Sequence, residues 1–197
     1  MSQTPELLVA DAGAWRSWLS RNHATSSGVR LVLARKGVTE PTGLTYDDAL
    51  PEALCYGWID GHLTQRDTAT YRVRFTPRRP RSSWSQRNVD LAEQLVAEGR
   101  MRPTGLAEIG RAKANGRWER AYPGSASNDV PDDLRAALAA SPRAQATWDV
   151  LTRTNRYAVV YRVHDAKRPE TRARRINHYI EMLAAGDTPF PQKQKPD

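Results

Sequence analysis

In residues 58–76, WIDGHLTQRDTATYRVRFT, two runs alternate between apolar and polar side chains. Tyr71, Val73 and Phe75 alternate with Arg72, Arg74 and Thr76, and Ile59, Gly61 and Leu63 alternate with Trp58, Asp60 and His62. Period-two alternation marks a strand with one buried face. The polar residues Gln65-Arg66-Asp67-Thr68 supply a turn, so Trp58–Thr64 and Thr70–Thr76 are expected to form an antiparallel hairpin. With Ile59, Leu63, Val73 and Phe75 on the core face, the opposite face gathers Trp58, Asp60, His62, Arg72 and Arg74.

Upstream, Asp11 is placed to cap a helix from Ala12 to Asn22, on which Trp15, Trp18 and Leu19 share a face. Val29–Ala34 is short, apolar and β-rich, and reads as a buried strand. Thr45 with Asp48 forms a capping-box pattern before a stripe of Tyr46, Ala49, Leu50, Ala53 and Leu54. Pro51 interrupts that stripe, so either the helix bends there or a turn leads into a helix starting near Pro51. Downstream, prolines hold Thr76–Ser83 extended, and Ser83 with Gln86 is a capping box opening a helix that Gly99 stops. Everything beyond reads as helical. Segments start at Pro103, Asp132, Ser141-Pro142, Asn155 and Pro169, with Arg117–Pro131 as a linker.

Strands first and helices afterwards imply an α+β fold. The expected organisation is an α+β domain over 1–100, with about three mostly antiparallel strands. A helical region packed on it over 101–186 and a disordered tail over 187–197 complete the chain.

The chain has 197 residues and a formal net charge of +8. Two windows hold the excess: Arg66–Arg87, with seven arginines against Asp67 alone, and Arg153–Arg175, with eight bases against Asp165 and Glu170. Clustered arginine favours structured contacts to carboxylate or phosphate, because the guanidinium presents a planar fork of donors. The single cysteine, Cys55, excludes an intrachain disulfide and a multi-cysteine zinc site. Met1–Ala10 has no secretory pattern and no run reaches the roughly 18 apolar residues of a membrane span, so a cytoplasmic protein is expected.

Two constellations bear chemistry. Arg78, Arg79 and Arg81 stand just before an expected helix N-terminus and Arg74 lies on the strand leading in; Ser83 adds a hydroxyl, and Trp84 and Trp58 add flat faces. Helix N-termini bind anions, so an anionic small molecule, phosphate or carboxylate, is the expected ligand. The other constellation is Cys55, Asp60 and His62, in which Asp60 and His62 would act as an acid–base pair if the strand were flat. No HExxH, CxxC, GxSxG or Gly-rich phosphate fingerprint occurs, so neither metal nor cofactor is expected. Nucleic acid is a rival partner on charge alone, without a helix-turn-helix, zinc-finger or RRM signature.

Several stretches resemble the YdeI/OmpD-associated, or bacteriocin-protection, family. They include Ala53-Leu54-Cys55-Tyr56-Gly57-Trp58-Ile59-Asp60-Gly61, Phe75-Thr76-Pro77-Arg78-Arg79-Pro80-Arg81-Ser82 with Trp84-Ser85, and Glu98-Gly99-Arg100-Met101. Gly116-Arg117-Trp118, Asn155-Arg156-Tyr157 and Pro169-Glu170-Thr171-Arg172-Ala173-Arg174-Arg175-Ile176 extend the likeness, which runs from about Trp15 to Gly186. The resemblance implies a bacterial role in tolerance of bacteriocins and cationic antimicrobial peptides. It implies no particular reaction or catalytic residue.

Overall fold

Alternation along the hairpin and the apolar run before it build one mixed sheet, seen in a computed structural model that describes residues 4–122 and 130–193. The strands are β1 (Glu6–Leu7), β2 (Val29–Ala34), β3 (Trp58–Gln65) and β4 (Thr70–Pro77), in the order β1-β2-β4-β3. β2 and β3 each pair antiparallel with β4, while β1 runs parallel to β2. The sheet thus has one strand more than expected. β1 spans only two residues, too few to show a period.

Eight helices are present among the described residues: α1 (Ala12–Asn22), α2 (Tyr46–Cys55), α3 (Gln86–Ala97), α4 (Pro103–Ala114), α5 (Asp132–Ala139), α6 (Pro142–Asp149), α7 (Arg153–His164) and α8 (Pro169–Ala184). Asp11 caps α1 by accepting from the Ala14 amide at 2.8 Å, and Thr45 caps α2 by accepting from the Asp48 amide at 3.3 Å. α2 is one helix that contains Pro51, so no new start occurs there. α3 begins later than the sequence suggests. Ser85, not Ser83, is its cap, accepting from the Asn88 amide at 3.2 Å.

The two sheet faces differ from the expected assignment. Asp60 pairs with Phe75 and Leu63 with Val73, three residues against two, so Gly61 and His62 together oppose Arg74 in a β-bulge. A bulge inverts the alternation beyond it. Trp58, Asp60 and Leu63 therefore share a face with Phe75 and Val73, while Ile59 pairs with Thr76 on the other face. Trp58 is buried in the core, whereas Leu63 lies at its margin, 54% exposed.

One core packs Trp15 and Leu19 of α1 and Leu50 and Leu54 of α2 against Leu31, Leu33, Val73 and Phe75 of the sheet, with Val89 and Leu95 of α3. Inside this shell Glu52 is a buried charge. Its carboxylate accepts from Arg16 Nε at 2.6 Å and Nη2 at 2.5 Å, and from Arg100 Nη2 at 2.8 Å. This pairing offsets the desolvation of the carboxylate and ties α1, α2 and the turn after α3 together. A second core gathers Leu134, Leu138, Trp148, Val159, Val163, Ile176, Tyr179 and Leu183 from α5 to α8, with Leu151 from the turn between α6 and α7.

The chain divides into two units between Ala121 and Tyr122. α4 belongs with the first unit, so the boundary falls later than residue 100. Gly105 of α4 sits against the Cys55 carbonyl at the end of α2, an approach only a residue without Cβ permits. Residues 123–129 of the expected linker lie outside the described residues, as do 194–197 of the expected tail. The rest of that tail is held. Asn155 Nδ2 donates to the Phe190 carbonyl at 3.0 Å, the Phe190 amide donates to Asn155 Oδ1 at 2.8 Å, and Gln192 Nε2 donates to the Val150 carbonyl at 3.1 Å.

Candidate functional site

The bulge decides the fate of the expected acid–base pair. Asp60 stands on the core face, where Oδ2 accepts from the Tyr46 hydroxyl at 2.9 Å, in a cleft of about 370 Å³ with Leu63, Tyr71 and Val73. Burial, and then the Asp60 charge, raise the Tyr46 hydroxyl far above its ordinary pKa, so it remains a proton donor to the carboxylate. His62 lines a different cleft, with Arg30, Thr64 and Arg74. Proton transfer needs hydrogen-bond reach, and the sheet separates these two side chains. Cys55 is 3% exposed, and burial followed by the Glu52 charge pushes its thiol up to about 11. That is the environment of an inert structural thiol rather than of a nucleophile.

The arginine loop divides into a buried part and an exposed part. Arg78, 5% exposed, places its guanidinium 3.5 Å from the Trp84 ring centroid, and its Nη1 donates to the Ser83 carbonyl at 3.1 Å. Arg117 Nη1 donates to the Ser82 carbonyl at 2.5 Å, and Trp118 packs on Trp84 with centroids 4.8 Å apart. Arg78 and Arg117 thus hold the 82–84 backbone, and Trp84 is buried between Arg78 and Trp118 instead of offering a face to a ligand. Ser83 lends its carbonyl to Arg78 and does not cap a helix. Arg79 and Arg81 are exposed on a turn closed by the Ser82 hydroxyl, which accepts from the Arg79 amide at 3.0 Å. The structure therefore does not bring Arg74, Arg78, Arg79 and Arg81 together around one helix N-terminus.

Instead, it sets Arg74 beside Arg30. The two are direct cross-strand partners of β4 and β2, on the sheet face turned away from the first core. With Thr4, His62 and Thr64 they line a cleft of about 380 Å³. Glu6 neutralises the neighbouring arginines, lying 3.2 Å from both Arg66 Nε and Arg72 Nη1. Among the described residues no carboxylate reaches Arg30 or Arg74, and Arg30 Nε is buried with no hydrogen-bond partner. Like charges directly opposite on a sheet repel, and a buried unsatisfied charged donor costs roughly 1–3 kcal/mol or more. This arrangement is complementary to an oxyanion with at least two acceptor oxygens.

A family model described as a domain of unknown function, DUF8412, matches residues 7–108, just over half of the chain. The chain belongs to this family. The DUF8412 match begins at Leu7 in β1 and ends within α4, so it covers β2, β3 and β4, the bulge and the lining of both clefts apart from Thr4. The model for bacteriocin-protection, YdeI or OmpD-associated proteins matches residues 128–186, the span of α5 to α8. The likeness noted from Trp15 onwards is thus carried by that model over the second unit alone, while the N-terminal stretches fall in the DUF8412 match. No curated protein and no solved structure matches the chain. Among the described residues no helix is long and apolar enough to cross a membrane, and no group of three or more His, Cys, Asp and Glu is placed to hold a metal ion.

Sequence reading missed Arg30 and Arg117. Arg30 is the lone charge in Val29–Ala34, and that interruption was the available signal, but only the register of β2 against β4 pairs it with Arg74. Arg117 reaches the arginine loop from a turn 35 residues away in sequence, with no local pattern to announce it.

Proposed function

We propose that this chain is a binding protein of the bacteriocin-protection class whose DUF8412 unit holds a small oxyanion, phosphate or carboxylate, on the outer face of the sheet. Arg30 and Arg74 form the clamp, and His62 donates from the bulge. The observation that carries this reading is the facing arginine pair with no carboxylate partner among the described residues, Arg30 Nε being buried and unsatisfied. The separation of Asp60 from His62 and the burial of Cys55 favour binding over the acid–base or thiol chemistry considered from the sequence. Of the arginines expected to hold the anion, Arg74 remains in the site. Arg79 and Arg81 lie outside it, and Arg78 serves the loop.

Inorganic phosphate titrated into ¹⁵N-labelled protein at constant ionic strength tests this reading. Saturable shifts are expected at the amides of Val29–Ala34 and Thr70–Pro77. Arg74→Gln should weaken them by about tenfold or more, the worth of one charge-assisted contact, and should leave stability in chloride unchanged or slightly raised, because it relieves the repulsion with Arg30. Retention of wild-type affinity in both Arg74→Gln and Arg30→Gln would overturn the assignment.

A further inference from the structure

The second cluster of basic residues gains a shape in the helical unit. The end of α7 and the middle of α8 enclose a cleft of about 530 Å³ lined by Arg162, Asp165, Arg174, Arg175, His178 and Tyr179. Its cations are not equivalent. Arg175 Nη1 donates to the Arg162 carbonyl, satisfying the C-terminal end of α7, and lies 3.4 Å from Asp165 Oδ2. Arg175 is therefore committed to the fold, and it neutralises the one acid in the cleft. Arg162 Nη1 donates to the hydroxyl of the buried Tyr179 at 3.0 Å, which fixes its guanidinium while leaving Nε and Nη2 for another acceptor. Arg174 and His178, four residues apart on α8, share a helix face and are exposed. Among the described residues neither has a hydrogen-bond or ion-pair partner, and the His178 ring lies tilted on that of Tyr179, with centroids 5.3 Å apart.

We propose that this cleft binds the phosphate group of a small phosphorylated molecule. Donors from Arg162, Arg174 and His178 approach one space from two helices, which suits the three terminal oxygens of a phosphate monoester better than the two of a carboxylate. The volume lies within the roughly 300–1,000 Å³ usual for small-molecule sites, leaving room for an organic group beyond the phosphate. The hydroxyl of Tyr179 orders Arg162 before the ligand arrives, so less side-chain entropy is lost on binding. Arg162 and Arg174 are the binding residues, and Tyr179 is a positioning residue. This site lies in the second unit and does not depend on the sheet site of the first.

Inorganic phosphate and glycerol phosphate, titrated separately into the full ¹⁵N-labelled chain at constant ionic strength, provide the test. Saturable shifts are expected at the amides of residues 162–179 and at the Arg162 and Arg174 Nε–H groups, with glycerol phosphate binding at least as tightly as phosphate. Arg174→Gln should weaken binding about tenfold, and Tyr179→Phe should weaken it less while broadening the Arg162 Nε–H signal. Both variants are checked for retained helicity, and the exposed Arg174→Gln keeps the test valid if Tyr179→Phe disturbs the core. The Arg30→Gln/Arg74→Gln variant should leave these shifts intact, which separates failure here from failure of the sheet site. Absence of saturable shifts at 162–179, or unchanged affinity in Arg174→Gln, would overturn the proposal. So would binding of a single-stranded oligothymidylate to the cleft where neither small phosphate binds.

Discussion

Burial governs what a side chain can do in this protein, and Cys55 shows it most directly. Its thiol ionises near 9 in an open chain and only at about 11 in the folded one, chiefly because burial penalises the thiolate. Above pH 9 the unfolded chain therefore releases a proton that the folded chain keeps, and stability falls as pH rises from about 9 to about 11. The slope approaches about 1.4 kcal/mol per pH unit. Below pH 9 the thiol is neutral in both states and contributes no slope. Urea unfolding of wild type and Cys55→Ala at pH 8 and pH 10.5 isolates this effect, since other titrating groups are common to both. Wild type should lose about 2 kcal/mol relative to the variant between the two pH values, and an unchanged gap would mean that the folded thiol ionises normally. The contrast with Arg30 is one of sign. A buried thiol stays neutral at little cost, whereas a guanidinium cannot shed its proton, so its buried Nε calls for an acceptor.

At the scale of the element, close approach and bulge do what residue preference does not reveal. α4 carries two glycines five residues apart with opposite meanings. A Cβ on Gly105 would overlap the Cys55 carbonyl oxygen and the Met101 methyl, while one on Gly110 would meet nothing within 4 Å. Gly105→Ala is expected to destabilise the protein by about 1–3 kcal/mol through overpacking. Gly110→Ala should stabilise it by up to about 1 kcal/mol, because alanine loses less backbone freedom in a helix. Denaturant titration of both variants decides it, and like responses would show that α4 does not seat on α2 at Gly105. The bulge at Gly61-His62 acts in the same way on the sheet. By adding one residue it turns Asp60 and His62 to opposite faces and places His62 with Arg30 and Arg74.

At the scale of the whole molecule, the two cores share no residue. Phe75 lies fully buried in the first and Leu138 in the second. Phe75→Ala should cost about 3–5 kcal/mol and Leu138→Ala about 2–5 kcal/mol, from lost burial plus the cavity left behind. Native-state hydrogen exchange distinguishes where the loss falls. Phe75→Ala should lower protection in β2, β4 and α1 to α3, and Leu138→Ala in α5 to α8. Loss of protection throughout the chain in both variants would show that the two units open as one.

The α+β class, the hairpin, the caps at Asp11 and Thr45 and the helical character of the elements that follow Ser85 among the described residues were legible in the sequence. They rest on periodicity and local hydrogen bonding, which act over a few residues. The apolar stripes likewise named much of the first core, including Trp15, Leu19, Leu50, Leu54, Val73 and Phe75. The candidate sites were legible only as two windows of positive charge. Which arginines meet which acids depends on register and on contacts between distant segments. Glu6 reaches Arg66 and Arg72, Glu52 reaches Arg16 and Arg100, and Arg78 and Arg117 turn inward, leaving Arg30 with Arg74 on the sheet and Arg162 with Arg174 between α7 and α8. A charge can be counted from the chain alone. Whether it is paired, buried or open to a ligand depends on the tertiary structure, because Coulomb attraction and desolvation depend on distance in space and not on separation in sequence.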